Sequence, residues 1–135
     1  MAATAKPRIL CVDDEPELLA ALALNLRRRF DVVTAGCPLR ALELVVDRPF
    51  VAVMSDLRMP GMDGAELLAA CRQRAPHTVR LMLTGSADDT ALASLAAGTI
   101  FKLLRKPCMA DTLVAALTAA CAEHDRLVAH AERSS

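Results

Sequence analysis

VMSDLRMPGMDG, residues 53–64, is the stretch on which the reading of this chain turns. A short apolar run ends at Asp56, and the next eight residues hold two Met, one Pro, two Gly and a second Asp. An apolar strand that stops at a carboxylate is either meeting solvent or presenting a working group. The loop is too tightly written for a casual connection, because Pro fixes φ and Gly supplies conformations that other residues avoid. What else reaches the same level of the fold decides between the two.

Working outward, strand-like and helix-like patterns alternate five times. Residues 8–12 (RILCV) are a short continuous apolar run, as expected of a strand buried on both faces, and 31–35 (DVVTA), 51–55 (VAVMS), 79–83 (VRLML) and 100–104 (IFKLL) read as the further strands. Between the first two, Leu18, Leu19, Leu22 and Leu26 give the apolar stripe of a helix over 15–29. Pro38 opens a second helix, where its missing N–H costs little. Asp63 and Glu66 form a capping-box signature ahead of Leu67, Leu68 and Cys71. Ser86 with Asp89 predicts the start of a fourth helix that Gly98 ends, and residues 110–131 predict a fifth. Strict alternation implies an α/β fold, a doubly wound parallel sheet with helices on both faces.

Composition narrows the function classes. The 135 residues suit one domain, and 54% are hydrophobic, with no Trp or Tyr and three Phe. That excludes an aromatic sugar site or a base-stacking surface. Sixteen basic residues balance sixteen acidic ones, so neither nucleic acid nor an anionic membrane is an expected partner. The run Arg27-Arg28-Arg29 falls where the first helix ends and complements its dipole. Five scattered cysteines without a C-x-x-C pair suggest reduced thiols and a cytoplasmic location. No stretch approaches the ~20 apolar residues of a membrane span.

In a doubly wound sheet, ligands gather beyond the carboxyl ends of the strands. Asp13 and Asp14 follow strand one, Asp56 strand three, Thr84 strand four and Lys106 strand five. Each has an ordinary explanation: Asp14 could cap a helix with Glu17, Asp56 could be solvated, Thr84 could begin a turn, and Lys106 could be a surface charge. Together they are harder to dismiss, since clustered carboxylates repel unless a cation offsets them. An all-oxygen set without His or Cys suits Mg2+ rather than zinc or copper, and Lys and Thr suit phosphoryl oxygens. One of the carboxylates is then a candidate nucleophile.

The acidic pair at 13–14, the D-x-x-M-P-G-M-D-G string at 56–64, T-G at 84–85 and K-P at 106–107 resemble the receiver domain of two-component response regulators, in the CheY-like superfamily. The resemblance covers nearly the whole chain in order and spacing. It implies a five-stranded parallel sheet of order 2-1-3-4-5 flanked by five helices. It implies that Asp56 takes a phosphoryl group from a sensor histidine kinase or a histidine phosphotransfer protein. Asp14 and Asp56 would ligate Mg2+ (or Mn2+ in its place) directly, with Asp13 acting through water and the Arg58 backbone carbonyl filling another position. Lys106 would pair with a phosphoryl oxygen, Thr84 would move in to hydrogen-bond it, and the Lys106–Pro107 peptide would be cis. The response would spread to the face of helix four, strand five and helix five. The resemblance further implies that Arg58 and Ser86 stand at the two positions that tune dephosphorylation in that family. No enzymatic activity beyond self-phosphorylation and autodephosphorylation is expected.

One position departs from the pattern. Three residues before the lysine, where the family commonly has an aromatic switch residue, this chain has Leu103. Phe101 would share its side of a regular strand, so switching uses a smaller lever or enlists Phe101. Residues 1–7 are expected to be a disordered N-terminus, 8–122 the receiver domain, and 123–135 a helical extension or linker. A 22-residue last helix would be about 33 Å long against ~17 Å for a strand. Its stripe through Leu113, Leu117, Cys121, His124 and Leu127-Val128 therefore outruns the sheet, toward a C-terminal effector domain outside this chain or a homodimer partner. The face of helix four, strand five and helix five is the other candidate dimer surface. His124 and His130 receive no role. A haloacid-dehalogenase-type phosphatase would want D-x-D after strand one, and a flavin binder a phosphate-cradling loop there. A phosphorylation-independent interaction or dimerisation module is the remaining alternative.

Overall fold

A computed structural model describes residues 5–86 and 88–134. Five parallel strands, β1 (Arg8–Val12), β2 (Asp31–Ala35), β3 (Ala52–Ser55), β4 (Val79–Thr84) and β5 (Lys102–Arg105), form one sheet in the order β2-β1-β3-β4-β5. The helices are α1 (Pro16–Leu26), α2 (Pro38–Asp47), α3 (Gly64–Arg74), α4 (Asp89–Ala96) and α5 (Ala110–Ser134). The alternation is that predicted from the sequence, and the sheet order is the one the family resemblance implies.

Alternation along each strand divides the core in two. Ile9 and Cys11 of β1, Met54 of β3 and Leu81 of β4 face α1 and α5, packing with Leu22, Leu26, Leu113 and Leu117. Leu10 and Val12, Val53 and Met82 face the other way, against Leu44 of α2 and Leu67, Leu68 and Cys71 of α3. Burial on both faces is what the continuous apolar run of β1 required, and β3 and β4 share it, whereas the edge strands β2 and β5 are more exposed. Residues 1–4 of the expected N-terminal tail lie outside the described residues. Of the rest, Lys6 Nζ donates to the Arg27 carbonyl (2.6 Å) and the Pro7 carbonyl accepts from Asp31 N–H (2.9 Å).

The helix starts partly follow the local signals. Asp63 and Glu66 form a complete capping box on α3, the Asp63 carboxylate accepting from Glu66 N–H at 2.8 Å. At α4 the expectation is corrected. The cap is Asp88, whose Oδ1 accepts from Thr90 N–H (3.0 Å) and Ala91 N–H (3.2 Å), while Ser86 N–H turns back to Thr84 Oγ1 (3.2 Å). Asp89 is already in the first turn. Nor does Asp14 cap α1: that position is Glu15, with no side-chain cap bond, and Pro16 begins the helix. Gly98, at φ +76°, follows α4 in the left-handed region that ends helices.

The last helix runs 25 residues, about 37 Å. Leu127 packs against the α1/α5 side of the core, and His124 Nδ1 lies 2.8 Å from the His77 carbonyl. A carbonyl only accepts, so that nitrogen carries the proton. His124 thus ties the far half of α5 to the turn before β4, a contact that sequence spacing did not signal. Phe101 sits in a bend ahead of β5, so the alternation that would set it beside Leu103 does not apply. Ile100 and Leu103 pack on the α2/α3 side and Leu104 on the opposite one.

Candidate functional site

Register brings the site together. Val12 of β1 stands opposite Ser55 of β3, Ser55 opposite Met82 of β4, and Thr84 opposite Arg105 of β5. The residues that follow leave the sheet at its carboxyl edge, Asp13 and Asp56 level with each other and Lys106 two residues further along its strand. Asp56 N–H donates to the Val12 carbonyl (3.0 Å) and Lys106 N–H to the Thr84 carbonyl (2.9 Å), so the pairing continues one step past the strands. This edge lies beside β1 and β3, where the chain order reverses and α/β sheets open their ligand crevice.

Lys106 Nζ lies 2.8 Å from Asp13 Oδ2 and 3.1 Å from Asp56 Oδ2, linking two carboxylates from different strands. Asp13 and Asp56 are 2% and 7% exposed, so the pairing is largely shielded from water. Burial pulls the Lys106 ammonium down. The hydrogen bonds and charges of Asp13 and Asp56 outweigh it and hold the group above its ordinary range. Asp56 is oriented at both oxygens, since Oδ1 accepts from Leu57 N–H at 2.7 Å. Asp13 Oδ1 accepts from Glu15 N–H (2.9 Å), fixing the turn into α1.

The loop after Asp56 is shaped by close approach. Gly64, first residue of α3, donates to the Leu57 carbonyl (2.8 Å), and Ser55 Oγ donates to the Asp56 carbonyl (2.8 Å). A Cβ on Gly64 would lie 2.8 Å from the Asp56 carbonyl carbon and 2.9 Å from Leu57 Cα, so no side chain fits there. Gly61, at φ +82°, makes the turn. Glycine here lets a helix press its first turn against the backbone of the acceptor candidate.

Not every expected residue arrives in the same place. Among the described residues, oxygens of Asp13, Glu15 and Asp56 lie within 4.8 Å of one another. Asp14 is exposed and outside that group, whereas Glu15, which the sequence reading passed over, is inside it and 3.7 Å from Lys106 Nζ. Its only signal was its place directly after the acidic pair. Thr84 is buried at the rim, its Oγ1 accepting from Ser86 N–H. Arg58 extends from the loop and pairs with Asp88, a partner no spacing rule suggested. Leu103 is half-buried on the α2/α3 side, and the Lys106–Pro107 bond is cis.

The donor set is all oxygen, with a hydroxyl and an ammonium at its edge, which fits a hard divalent ion and a phosphoryl group. Residues 9–118 match the family model for the response regulator receiver domain. The chain belongs to that family. Curated relatives of this receiver domain include the hydrogenase transcriptional regulatory protein HoxA of Cupriavidus necator, 33% identical over 78% of this chain and 22% of its own length. Others are GlrR of Escherichia coli, at 38% over 81% of this chain and 25% of its own length, and KdpE of Mycobacterium tuberculosis, at 34% over 83% and 50%. The receiver chain therefore spans between about a quarter and a half of these relatives. Among solved structures, one described as adenylate cyclase from Rhodopirellula baltica superposes with a TM-score of 0.90, at 38% identity over 94% of this chain and 96% of that one. A CheY-like receiver domain protein from Methanospirillum hungatei gives 0.85, at 26% identity over 90% and 98%.

Proposed function

We propose that Asp56 is the phosphoacceptor of a two-component phosphorelay and that its modification switches a surface read by a partner or effector domain. The observation that carries this is the Lys106 bridge between Asp13 and Asp56, which sets an ammonium against the candidate nucleophile in a shielded pocket. The donor is a phosphohistidine on a kinase or phosphotransfer protein. An Asp56 carboxylate oxygen attacks phosphorus, an acyl–phosphate bond forms, and the phosphorus–nitrogen bond breaks with its electron pair returning to the imidazole.

This chain's residues hold and aim the reactants. Leu57 N–H and Lys106 fix the carboxylate, Lys106 pairs with a phosphoryl oxygen once the group arrives, and Thr84 closes on another. Mg2+ would be held by carboxylates of Asp56 and the Asp13–Asp14 pair with the Arg58 carbonyl, and Glu15 adds negative charge beside them. When bound, the ion offsets charge on the transferring phosphoryl oxygens. Drawing Thr84 and Lys106 inward would reshape the loops leading to α4 and α5. On that side Leu92, Leu95, Phe101 and Met109 are exposed, which supports an output or dimer face there.

The relatives named as transcriptional regulators support an effector downstream of the domain, with the long α5 as the connection. The test is incubation with acetyl phosphate, with Mg2+ or with a chelator, followed by intact mass and size-exclusion chromatography. Labelling that needs the metal supports the reading. A chain that stays unlabelled yet self-associates equally in both conditions supports the phosphorylation-independent module instead.

A further inference from the structure

We propose that Asp88 is a positioning residue: it holds the Arg58 guanidinium across the rim of the pocket and so slows hydrolysis of phosphorylated Asp56. The inference rests on Asp56 being the acceptor. Arg58 stands two residues beyond Asp56 on the loop between β3 and α3, and its side chain is 61% exposed. Left alone, such a side chain spreads over many rotamers. Here Nη2 pairs with Asp88 Oδ2, on the loop that follows Thr84 and β4.

Asp88 suits the task because its other oxygen is already committed. Oδ1 accepts from Thr90 and Ala91 N–H as the cap of α4, which fixes the carboxylate and leaves Oδ2 to Arg58. A freely rotating surface acid would give no such anchor. The pair joins the two loops that rise on either side of the Asp56–Thr84 edge, and it places a planar cation at their rim.

Hydrolysis requires a water oxygen to attack phosphorus while the bond to the Asp56 oxygen breaks. The electron pair returns to the carboxylate, and a proton leaves with the phosphate or to solvent. A guanidinium held at the rim narrows the water's approach. Freed from Asp88, it no longer does.

Capping and pairing can be separated by substitution. Asp88→Asn and Asp88→Ser keep a cap oxygen and lose the charge. Arg58→Ala removes the guanidinium and keeps the backbone carbonyl. The 135-residue chain and these variants are labelled with acetyl phosphate and Mg2+, the donor is removed, and loss of label is timed. Hydrogen exchange on unlabelled protein is followed in parallel.

Each single variant should lose label about two- to fivefold faster, the scale of one exposed ion pair, and Asp88→Asn with Arg58→Ala should be no faster than Arg58→Ala alone. Exchange across residues 57–62 should rise in Asp88→Asn while Thr90 and Ala91 stay protected. Unchanged or slower loss of label overturns the proposal, as does an additive double variant; slower loss would mean that Asp88 competes with the phosphoryl group for Arg58. If the parent chain takes no label, the acceptor reading fails, and with it this effect on hydrolysis. The exchange arm then decides the Arg58–Asp88 tether alone, and unchanged exchange at 57–62 overturns it.

Discussion

Asp56 is constrained at each oxygen, by Leu57 N–H on one and Lys106 on the other, so the orientation of the proposed acceptor is set by these neighbours. The same residue-level logic separates the thiols. Burial pushes Cys11 from 9.0 up to about 12 and Cys71 from 9.0 up to about 11, while Cys37 is exposed. A raised folded pKa means that the unfolded chain releases its proton first. The stabilisation is full below about pH 9 and is lost as pH climbs toward the folded values, at about 1.4 kcal/mol per pH unit for each thiol. Denaturation midpoints measured across the alkaline range should fall accordingly, and Cys11→Ala, less stable at neutral pH, should fall less steeply. A thiol-labelling time course at mild pH should modify Cys37 first and reach Cys11 only on unfolding. Glu15 shows the limit of sequence reading at this scale: whether a long, exposed side chain bends into a pocket depends on a turn, fixed here by Asp13 accepting from its N–H.

Among the elements, α3 is where local sequence and site geometry meet. Asp63 and Glu66 serve the helix alone, while Gly64 serves the acceptor loop. Asp63→Ala should cost about 1 kcal/mol of stability and leave labelling of Asp56 nearly intact. Gly64→Ala should cost about 1–3 kcal/mol and also slow labelling, because the new methyl displaces the Asp56 backbone. Chemical denaturation paired with acetyl phosphate kinetics checks both; equal kinetics in the two variants would contradict the role given to Gly64. The capping box was legible because its two residues answer each other across three positions. The start of α4 was not. Ser86, Asp88 and Asp89 all carry cap-capable oxygens, and the choice went to Asp88 once Thr84 engaged the Ser86 N–H. Periodicity likewise gave the strand at β5 but not the bend at Phe101 that precedes it.

For the whole molecule, five alternating runs were enough to read a parallel sheet layered between helices, whereas the strand order was legible only through the resemblance carried by the strand-end motifs. They did not reveal how α5 is fastened beyond the sheet, since the His124 bond goes to a backbone carbonyl and leaves no mark in side-chain pattern. Truncation after Ala122 removes that bond and the Leu127 contact, and should cost about 1–2 kcal/mol while one cooperative transition remains. Loss of the folded state would contradict a domain that ends near residue 122. The central claim concerns Asp56, and intact mass after incubation with acetyl phosphate and Mg2+ tests it most directly. The parent chain should gain the mass of one phosphoryl group and Asp56→Asn none; an equal gain in both, or no gain in a folded parent chain, would contradict it.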